Sequence, residues 1–128
     1  MNEAMKELGR RAIAAGFAWV PGMRTTSGQR VVVVKPDENP IACYEDNGYT
    51  VHLAGGQTPD LSDPATLGCL LAQVRERWGG IGSGVVAIIP HRLRWAMMTC
   101  GQMDDAISGD SEAAALVAAL EAAPKSAG

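Results

Sequence analysis

The sequence is poor in aromatic residues and in cysteine. Phe, Trp and Tyr make up only 5% of its 128 residues, so we expect a core built mainly from aliphatic side chains and alanine. The three cysteines cannot all pair within one chain, and none stands in a C-x-x-C arrangement, which leaves a structural zinc site or a redox motif without support. A reduced, cytoplasmic protein is the simplest interpretation.

Long apolar runs and a strong charge of one sign are also absent. No stretch approaches the roughly 20 apolar residues of a membrane span, and residues 1–15 lack the apolar centre of a signal peptide, so we expect no membrane partner. Eleven basic against fourteen acidic residues give a formal charge of −3. This balance argues against a dedicated nucleic-acid-binding protein and is too mild for a mimic of DNA.

What the sequence does contain is a globular composition and three helical patterns. With 47% hydrophobic and 20% charged residues, the length predicts one domain over residues 1–124, followed by a frayed tail at 125–128. The first helix is predicted at 2–15, with Gly16 as its stop. The second begins at Asp63-Pro64, and the third follows Ser111 as its cap. The apolar stripe of the second helix is Leu67, Leu70, Leu71, Val74 and Trp78.

The strand signals fall into two groups. Between the first two helices, alternation of period two predicts strands at 23–26, 30–34, 41–45 and 49–53, with Asn47-Gly48 as a type I′ hairpin turn. After the second helix we predict strands at 85–89 and 93–99, and a loop at 101–110 that is rich in Gly, Asp and Ser. The expected order is α-β-β-β-β-α-β-β-α, which is an α+β fold with three helices on a mostly antiparallel sheet.

Three segments carry a resemblance to a known family. They are FAWVPGMR at 17–24 after the opening helix, PDLSDPATLGCLLAQVRERWG at 59–79, and SEAAALVAALEAAP at 111–124. Together they resemble the phage ABA sandwich domain, a family of small phage and prophage proteins. The resemblance implies a three-layer α/β/α sandwich and a phage-derived origin. It supplies no catalytic residues.

The segment His91-Arg92-Leu93-Arg94-Trp95 is the first choice for a surface that contacts a ligand or partner. If it forms a strand, Leu93 and Trp95 face the core while Arg92 and Arg94 project from the other side. Two guanidinium groups beside an aromatic ring suit an anionic nucleotide. The competing interpretation, which we prefer, is an edge strand protected from aggregation by its charges.

Signals for catalysis are weak. The glycine-rich stretch 79–84 follows a helix and precedes a strand, the reverse of a phosphate-binding loop, so a flexible connector is favoured. The carboxylates that could hold a hard cation are Asp60, Asp63, Asp104, Asp105 and Asp110, without EF-hand spacing. His52 and His91 have no nucleophile motif beside them. We therefore expect no enzyme, no cofactor and no metal. A metal-dependent hydrolase that uses Asp104 and Asp105 with a histidine is the less favoured alternative.

Small residues mark one side of each of two helices. On the second helix they are Ala65, Cys69 and Ala72, and on the third they are Ala115, Ala118 and Ala122. Such faces permit close helix approach, so they could meet each other or a second subunit in a homo-oligomer. The competing interpretation is that alanine only raises helix propensity on a solvent face.

These observations lead to a hypothesis of function by binding. We expect a phage or prophage accessory protein, most specifically a host-defence antagonist that blocks a defence protein in an anti-CRISPR-like way, with a host protein as partner. That last step is analogy rather than residue chemistry. The alternatives are sequestration of an anionic nucleotide by Arg92, Arg94 and amides near the glycine-rich stretch, the hydrolase above, and a structural or regulatory phage protein.

Overall fold

A computed structural model describes residues 3–78, 87–91, 94–99 and 102–123. Within them the elements are α1 (Glu3–Ala14), β1 (Val31–Lys35), β2 (Ile41–Asp46), β3 (Tyr49–His52), α2 (Pro64–Trp78), β4 (Ala87–His91), β5 (Arg94–Thr99), β6 (Gln102–Gly109) and α3 (Glu112–Ala122). This confirms the α+β fold. The order of the described elements is α-β-β-β-α-β-β-β-α, which differs from the expected order on either side of α2.

The strands form two antiparallel sheets. In the first sheet the order is β1-β2-β3, and in the second sheet it is β4-β5-β6, so each is a simple meander with the middle strand paired on both sides. The antiparallel pairing agrees with the sequence pattern. The division into two sheets was not anticipated, because alternation within a strand carries no information about which strands end up as neighbours.

The predicted strand at 23–26 is wrong. This segment makes only two isolated bridges. Arg24 pairs with Arg30 and Thr25 pairs with Pro59, so two neighbouring residues pair with different parts of the chain. The Ser27-Gly28 turn is present, since Gly28 N donates to Thr25 O at 2.9 Å. A short alternating run thus forms a local hairpin without extending into a ladder.

The predicted loop at 101–110 is also wrong, because β6 occupies most of it. Asp, Gly and Ser are poor strand formers, but strand propensity depends strongly on tertiary context. Here β5 supplies ladder partners over most of the length of β6, with an irregularity where Ala96 pairs with Ser108 and Met97 pairs with Asp104. Between these two pairs β6 contains several more residues than β5. This interruption explains why apolar and polar residues do not alternate regularly in the sequence of β6.

Strand β4 continues through a proline that was expected to end it. Pro90 lies opposite Trp95 in the ladder, one position before the His91–Arg94 pair. Because β4 is at the edge of the second sheet, a residue without an amide hydrogen can be accommodated there. Residues 85 and 86 at the predicted start of this strand, and residue 93 at the predicted start of β5, lie outside the described residues.

The helix ends and the central turn follow the predicted chemistry. Gly16 has φ +86°, as expected for a left-handed helix stop. Ser111 caps α3, and its hydroxyl accepts a hydrogen bond from Ala114 N at 3.0 Å. Asn47 and Gly48 have φ of 50° and 83°, which is the pair of positive angles that a type I′ turn requires.

The core is centred on α3 and excludes the first sheet. Its buried members are Ala12, Leu61, Leu70, Val74, Met97, Ile107, Ala113, Leu116, Val117, Ala119 and Leu120. They come from the three helices, the segment before α2 and the second sheet. Helix α3 contacts α1, α2 and all three strands of that sheet, which is typical of a helix that is apolar nearly all round. The first sheet is attached mainly through the segments before and after it.

Two glycines provide a matched test of this packing. A Cβ on Gly109 would lie 2.5 Å from Ala114 Cβ and 2.7 Å from Ala115 N, so β6 approaches the start of α3 too closely for any side chain. We expect Gly109→Ala to lower the free energy of unfolding by about 1–3 kcal/mol through overpacking. The exposed Gly68 in α2 has open space instead, and Gly68→Ala should raise it by about 0.5–1 kcal/mol.

Urea unfolding of both variants beside the unchanged protein measures these differences. A Gly109→Ala variant as stable as the unchanged protein would contradict the close contact between β6 and α3.

Candidate functional site

The structure brings together two members of the predicted basic patch. His91 ends β4 and Arg94 begins β5, and the two are register partners. Arg92, which lies between them in the chain, is outside the described residues. Arg94 is exposed, and its Nε lies 3.3 Å from Asp110 Oδ1. The guanidinium therefore already has a carboxylate beside it, although an ion pair between two such exposed side chains contributes little to stability.

The small residues of α2 lie on an outer face. Ala65 and Ala72 are exposed, whereas Cys69 is half-buried. The Sγ of Cys69 lies 4.0 Å from where a Cβ on Gly22 would stand, so this thiol covers the backbone that leads into the first sheet. On this face of α2, Ala65 and Ala72 are therefore accessible to a partner, whereas the side chain of Cys69 is partly covered by the chain near Gly22.

The small residues of α3 do not form one open face. Ala115 is fully buried, which corrects its expected position on an outer side. Ala118 is half-buried and packs against the core, and only Ala122 is exposed. The reason is that α3 is central to the core, and on one side the indole Nε1 of Trp78 donates to Ala119 O at 3.0 Å. Any assembly through α3 is limited to its C-terminal end.

Three of the five candidate metal ligands, Asp60, Asp63 and Asp110, already have other partners. Asp104 and Asp105 lie in β6, while Asp60 and Asp63 take part in hydrogen bonds around the start of α2. Among the residues whose side chains the structure describes, no group of three or more His, Cys, Asp or Glu side chains could hold a metal ion. The glycine-rich stretch 79–84 lies outside the described residues.

The best-organised polar cluster surrounds the carboxylate of Asp63. This carboxylate caps α2 by accepting from Thr66 N at 3.1 Å and from Thr66 Oγ1 at 2.9 Å. It also accepts two hydrogen bonds from Arg30, at 3.0 and 3.2 Å. Arg30 further donates to Gly22 O at 2.6 Å. One nearly buried side chain thus joins the helix to the residue that precedes β1.

A second acidic residue extends this connection. Asp60 is buried, its Oδ1 accepts from Ser62 N at 3.0 Å, and its Oδ2 lies 4.0 Å from Arg24 Nε. The backbone joins the same segments, because Asp60 N donates to Arg24 O and Arg24 N donates to Thr66 Oγ1, each at 2.8 Å. All these groups are paired with one another, so the cluster acts as a joint between the first sheet and the helices.

The joint has a measurable electrostatic signature. Hydrogen bonds from Arg30, and then from Thr66, lower the pKa of Asp63 from 3.8 to about 2. Burial acts in the opposite direction but is outweighed. Because the folded-state pKa lies below the unfolded one, this interaction stabilises the fold above the ordinary pKa and is lost as the pH falls towards 2.

We expect Asp63→Asn to lower the free energy of unfolding by about 1 kcal/mol at neutral pH, a value reduced because Arg30 is half-exposed. Asparagine still caps a helix, so the substitution isolates the charge. The difference should shrink as the pH falls below 3.8, which denaturant unfolding over a pH series measures. Asp37→Asn, at an exposed carboxylate, is the control and should change little. A difference that stays constant with pH would contradict the assigned role of the ion pair.

The most distinctive surface lies on the first sheet. Of the four exposed large hydrophobic residues among those described, three are in this sheet: Val32 at 47%, Val33 at 39% and Tyr49 at 75% exposure. Single exposed hydrophobic residues scattered over a protein surface are normal. Two exposed hydrophobic residues side by side on an edge strand go beyond this ordinary exposure. We name residues 32–35, with these two valines, the β1 edge.

A bulge and an uncovered backbone define the β1 edge. Val31 pairs with Tyr44 while Val33 pairs with Cys43, so Val32 is an extra residue without a partner in β2. The outer side of Val31 is covered, because its N donates to Met23 O at 2.7 Å. In the described part of the chain, no backbone hydrogen bond from outside the sheet reaches residues 32–35.

The first sheet also carries the formal charge of the molecule. Residues 31–53 contain four carboxylates and one ammonium group, a net charge of −3 that equals the charge of the whole chain. The carboxylates are Asp37, Glu38, Glu45 and Asp46, all exposed. Lys35 is the single cation, and in the described residues none of these five side chains is in an ion pair.

An apolar groove of about 500 Å³ lies at the Lys35 end of the β1 edge. One wall carries Phe17 and Trp19, whose rings meet edge to face at 5.1 Å. This wall is fixed because Gln73 holds the backbone of Ala18 by a pair of hydrogen bonds of 2.6 and 2.8 Å. The lining also includes Ile41, the register partner of Lys35. The remaining lining residues are Ile13, Asn39, Pro40, Ala42, Leu53, Ala54, Gly55, Gly56 and Gln57.

The sequence pattern predicted β1 but not its exposure. The pattern of period two predicts a strand at 30–34, but it does not indicate which residues of that strand are left uncovered. The signal that could have identified an edge is the Lys35-Pro36 pair that ends the run of valines, since lysine and proline commonly protect open strands.

Among the described residues no helix has the length and apolar character needed to cross a membrane. Comparison of the chain with protein-family models, with curated proteins and with solved structures gives no match in any of the three.

Proposed function

We propose that the protein is a phage- or prophage-derived accessory protein that acts by binding a host protein in the host cytoplasm. Its most specific form is a host-defence antagonist that blocks a defence protein without catalysing a reaction. The phage origin is supported by the resemblance of segments 17–24, 59–79 and 111–124 to the phage ABA sandwich domain.

The observation that carries the binding function is the β1 edge. Adjacent exposed apolar side chains, next to unpaired backbone, are typical of a surface that is covered by a partner. Lys35, Pro36 and the bulge at Val32 protect the strand against aggregation, but they leave the two adjacent valines exposed to solvent. Partner binding accounts for both the valines and their exposure.

The rival functions have less support from the geometry. Nucleotide sequestration depends on the basic patch, in which the guanidinium of Arg94 already lies beside the carboxylate of Asp110. Hydrolysis would need Asp104, Asp105 and a histidine to converge on one cleft, and of the two aspartates the structure describes only their positions along β6. Protein binding depends on neither condition, so we rank it first.

The test is phage plating on a host that carries a defined defence system and expresses this chain. The unchanged protein should raise the efficiency of plating on the defended host and leave it unchanged on the undefended one. Val32→Thr with Val33→Thr keeps the strand-favouring β-branched shape but removes apolar surface. We expect this double variant to weaken the partner complex about tenfold or more, at about 1 kcal/mol per buried methyl, and to lose most of the effect.

Tyr49→Thr is the matched control, because Tyr49 is the most exposed of the four large hydrophobic residues but lies on β3, at the opposite edge of the first sheet. It should plate like the unchanged protein. Full activity of the double variant at equal abundance would show that the β1 edge is not the binding surface. No change in plating by the unchanged protein on any of the defended hosts would contradict the antagonist function.

A further inference from the structure

We propose that the β1 edge receives an extended, basic segment of the partner as a fourth strand of the first sheet. The inference rests on the proposed function and specifies its partner. Strand addition uses main-chain hydrogen bonds for affinity, and alternate side chains together with charge for specificity.

The backbone limits where the added strand can pair. Met23 already occupies the outer side of Val31, so the accessible edge begins at Val32. Pro36 follows Lys35 and has no amide hydrogen, so the edge ends there. The docking site is therefore four residues long. A strand of this length provides few hydrogen bonds, so side-chain contacts must contribute to affinity.

The valines supply the apolar part of this contact. Val32 and Val33 are both exposed, although neighbouring residues of a regular strand point to opposite faces. The bulge at Val32 breaks this alternation. An added strand would contact both valines.

Charge selects between a second copy of this chain and a basic segment. Pairing two β1 edges would bring together two sheets that each carry −3, with exposed carboxylates at Asp37 and Glu38 just beyond the edge. Like charges within a Debye length of roughly 8–10 Å oppose such pairing. A lysine- or arginine-rich segment has the complementary charge, and attraction of this kind both speeds encounter and selects the partner.

The test measures the binding of three short synthetic peptides to the unchanged full chain. Binding is monitored by NMR through the backbone amide signals of the protein. The first peptide alternates threonine and valine with lysines at both ends, the second has glutamates in place of the lysines, and the third is the lysine peptide with a central proline. We expect the lysine peptide to shift the amide signals of residues 32–35 and to protect from exchange those amides that face away from β2. The glutamate and proline peptides should bind at least about tenfold more weakly, and added salt should weaken the lysine peptide.

A pair of charge variants separates local from overall charge. Asp37→Asn with Glu38→Gln should reduce affinity for the lysine peptide several-fold. Glu3→Gln with Glu7→Gln removes the same number of carboxylates from the exposed side of α1 and should leave that affinity unchanged. Equal losses in the two variants would mean that the peptide responds only to net charge, and would overturn the assigned site.

Other results would also overturn the proposal. They are no binding of the lysine peptide, amide shifts located away from residues 32–35, equal binding of the proline peptide, or equal binding of the glutamate peptide. If these occur while Val32→Thr with Val33→Thr still abolishes the effect on plating, the proposed function stands and strand addition is wrong. If the lysine peptide binds as expected but the unchanged protein has no effect on plating, strand addition stands and the antagonist function fails.

Discussion

The carboxylate of Asp63 is the interaction on which the arrangement of the two parts of this protein depends. It accepts from the first turn of α2 and from Arg30, which itself holds Gly22 O. A helix cap that also receives a bidentate guanidinium fixes the direction of the chain on both sides of the first sheet. The low pKa of Asp63 is the consequence of these hydrogen bonds, since every one of them favours the ionised form.

This joint matters because the apolar core does not hold the first sheet. Helix α3 is buried nearly all round and takes its neighbours from the other two helices and the second sheet. The first sheet and the segment before it have a separate set of buried residues, among them Met23, Val31, Ala42 and Cys43. Polar contacts around Asp60 and Asp63 therefore do the positioning that a shared core does in many small domains.

The same division explains why the candidate binding surface lies where it does. A sheet packed into a central core has at least one face covered, whereas the first sheet contributes no residue to the central core. Here the edge beyond Val31 is left uncovered, and a bulge at Val32 turns two adjacent valines outward. The rest of the chain has equal numbers of acidic and basic residues, so the whole net negative charge lies in the region of this sheet. Exposure, open backbone and charge thus coincide in one region.

Local chemistry determined a large part of the structure from the sequence alone. Proline after Asp63, serine before α3 and glycine after α1 act within a few residues, and each helix begins or ends as these signals predicted. The Asn47-Gly48 turn followed from the same local logic. The apolar stripe of α2 identified Leu70 and Val74 as core residues, because helical periodicity alone decides which face is apolar.

Only the tertiary structure decided the features that depend on distant partners. The strand at β6 exists because β5 provides its ladder, and Ala115 is buried because α3 lies at the centre of the core. The exposure of Val32 and Val33 depends on which side of β1 the chain leaves uncovered, and no property of four valines contains that information. Sequence patterns act over one turn or one hairpin, whereas strand neighbours, helix centrality and open edges are set by contacts between residues far apart in the chain.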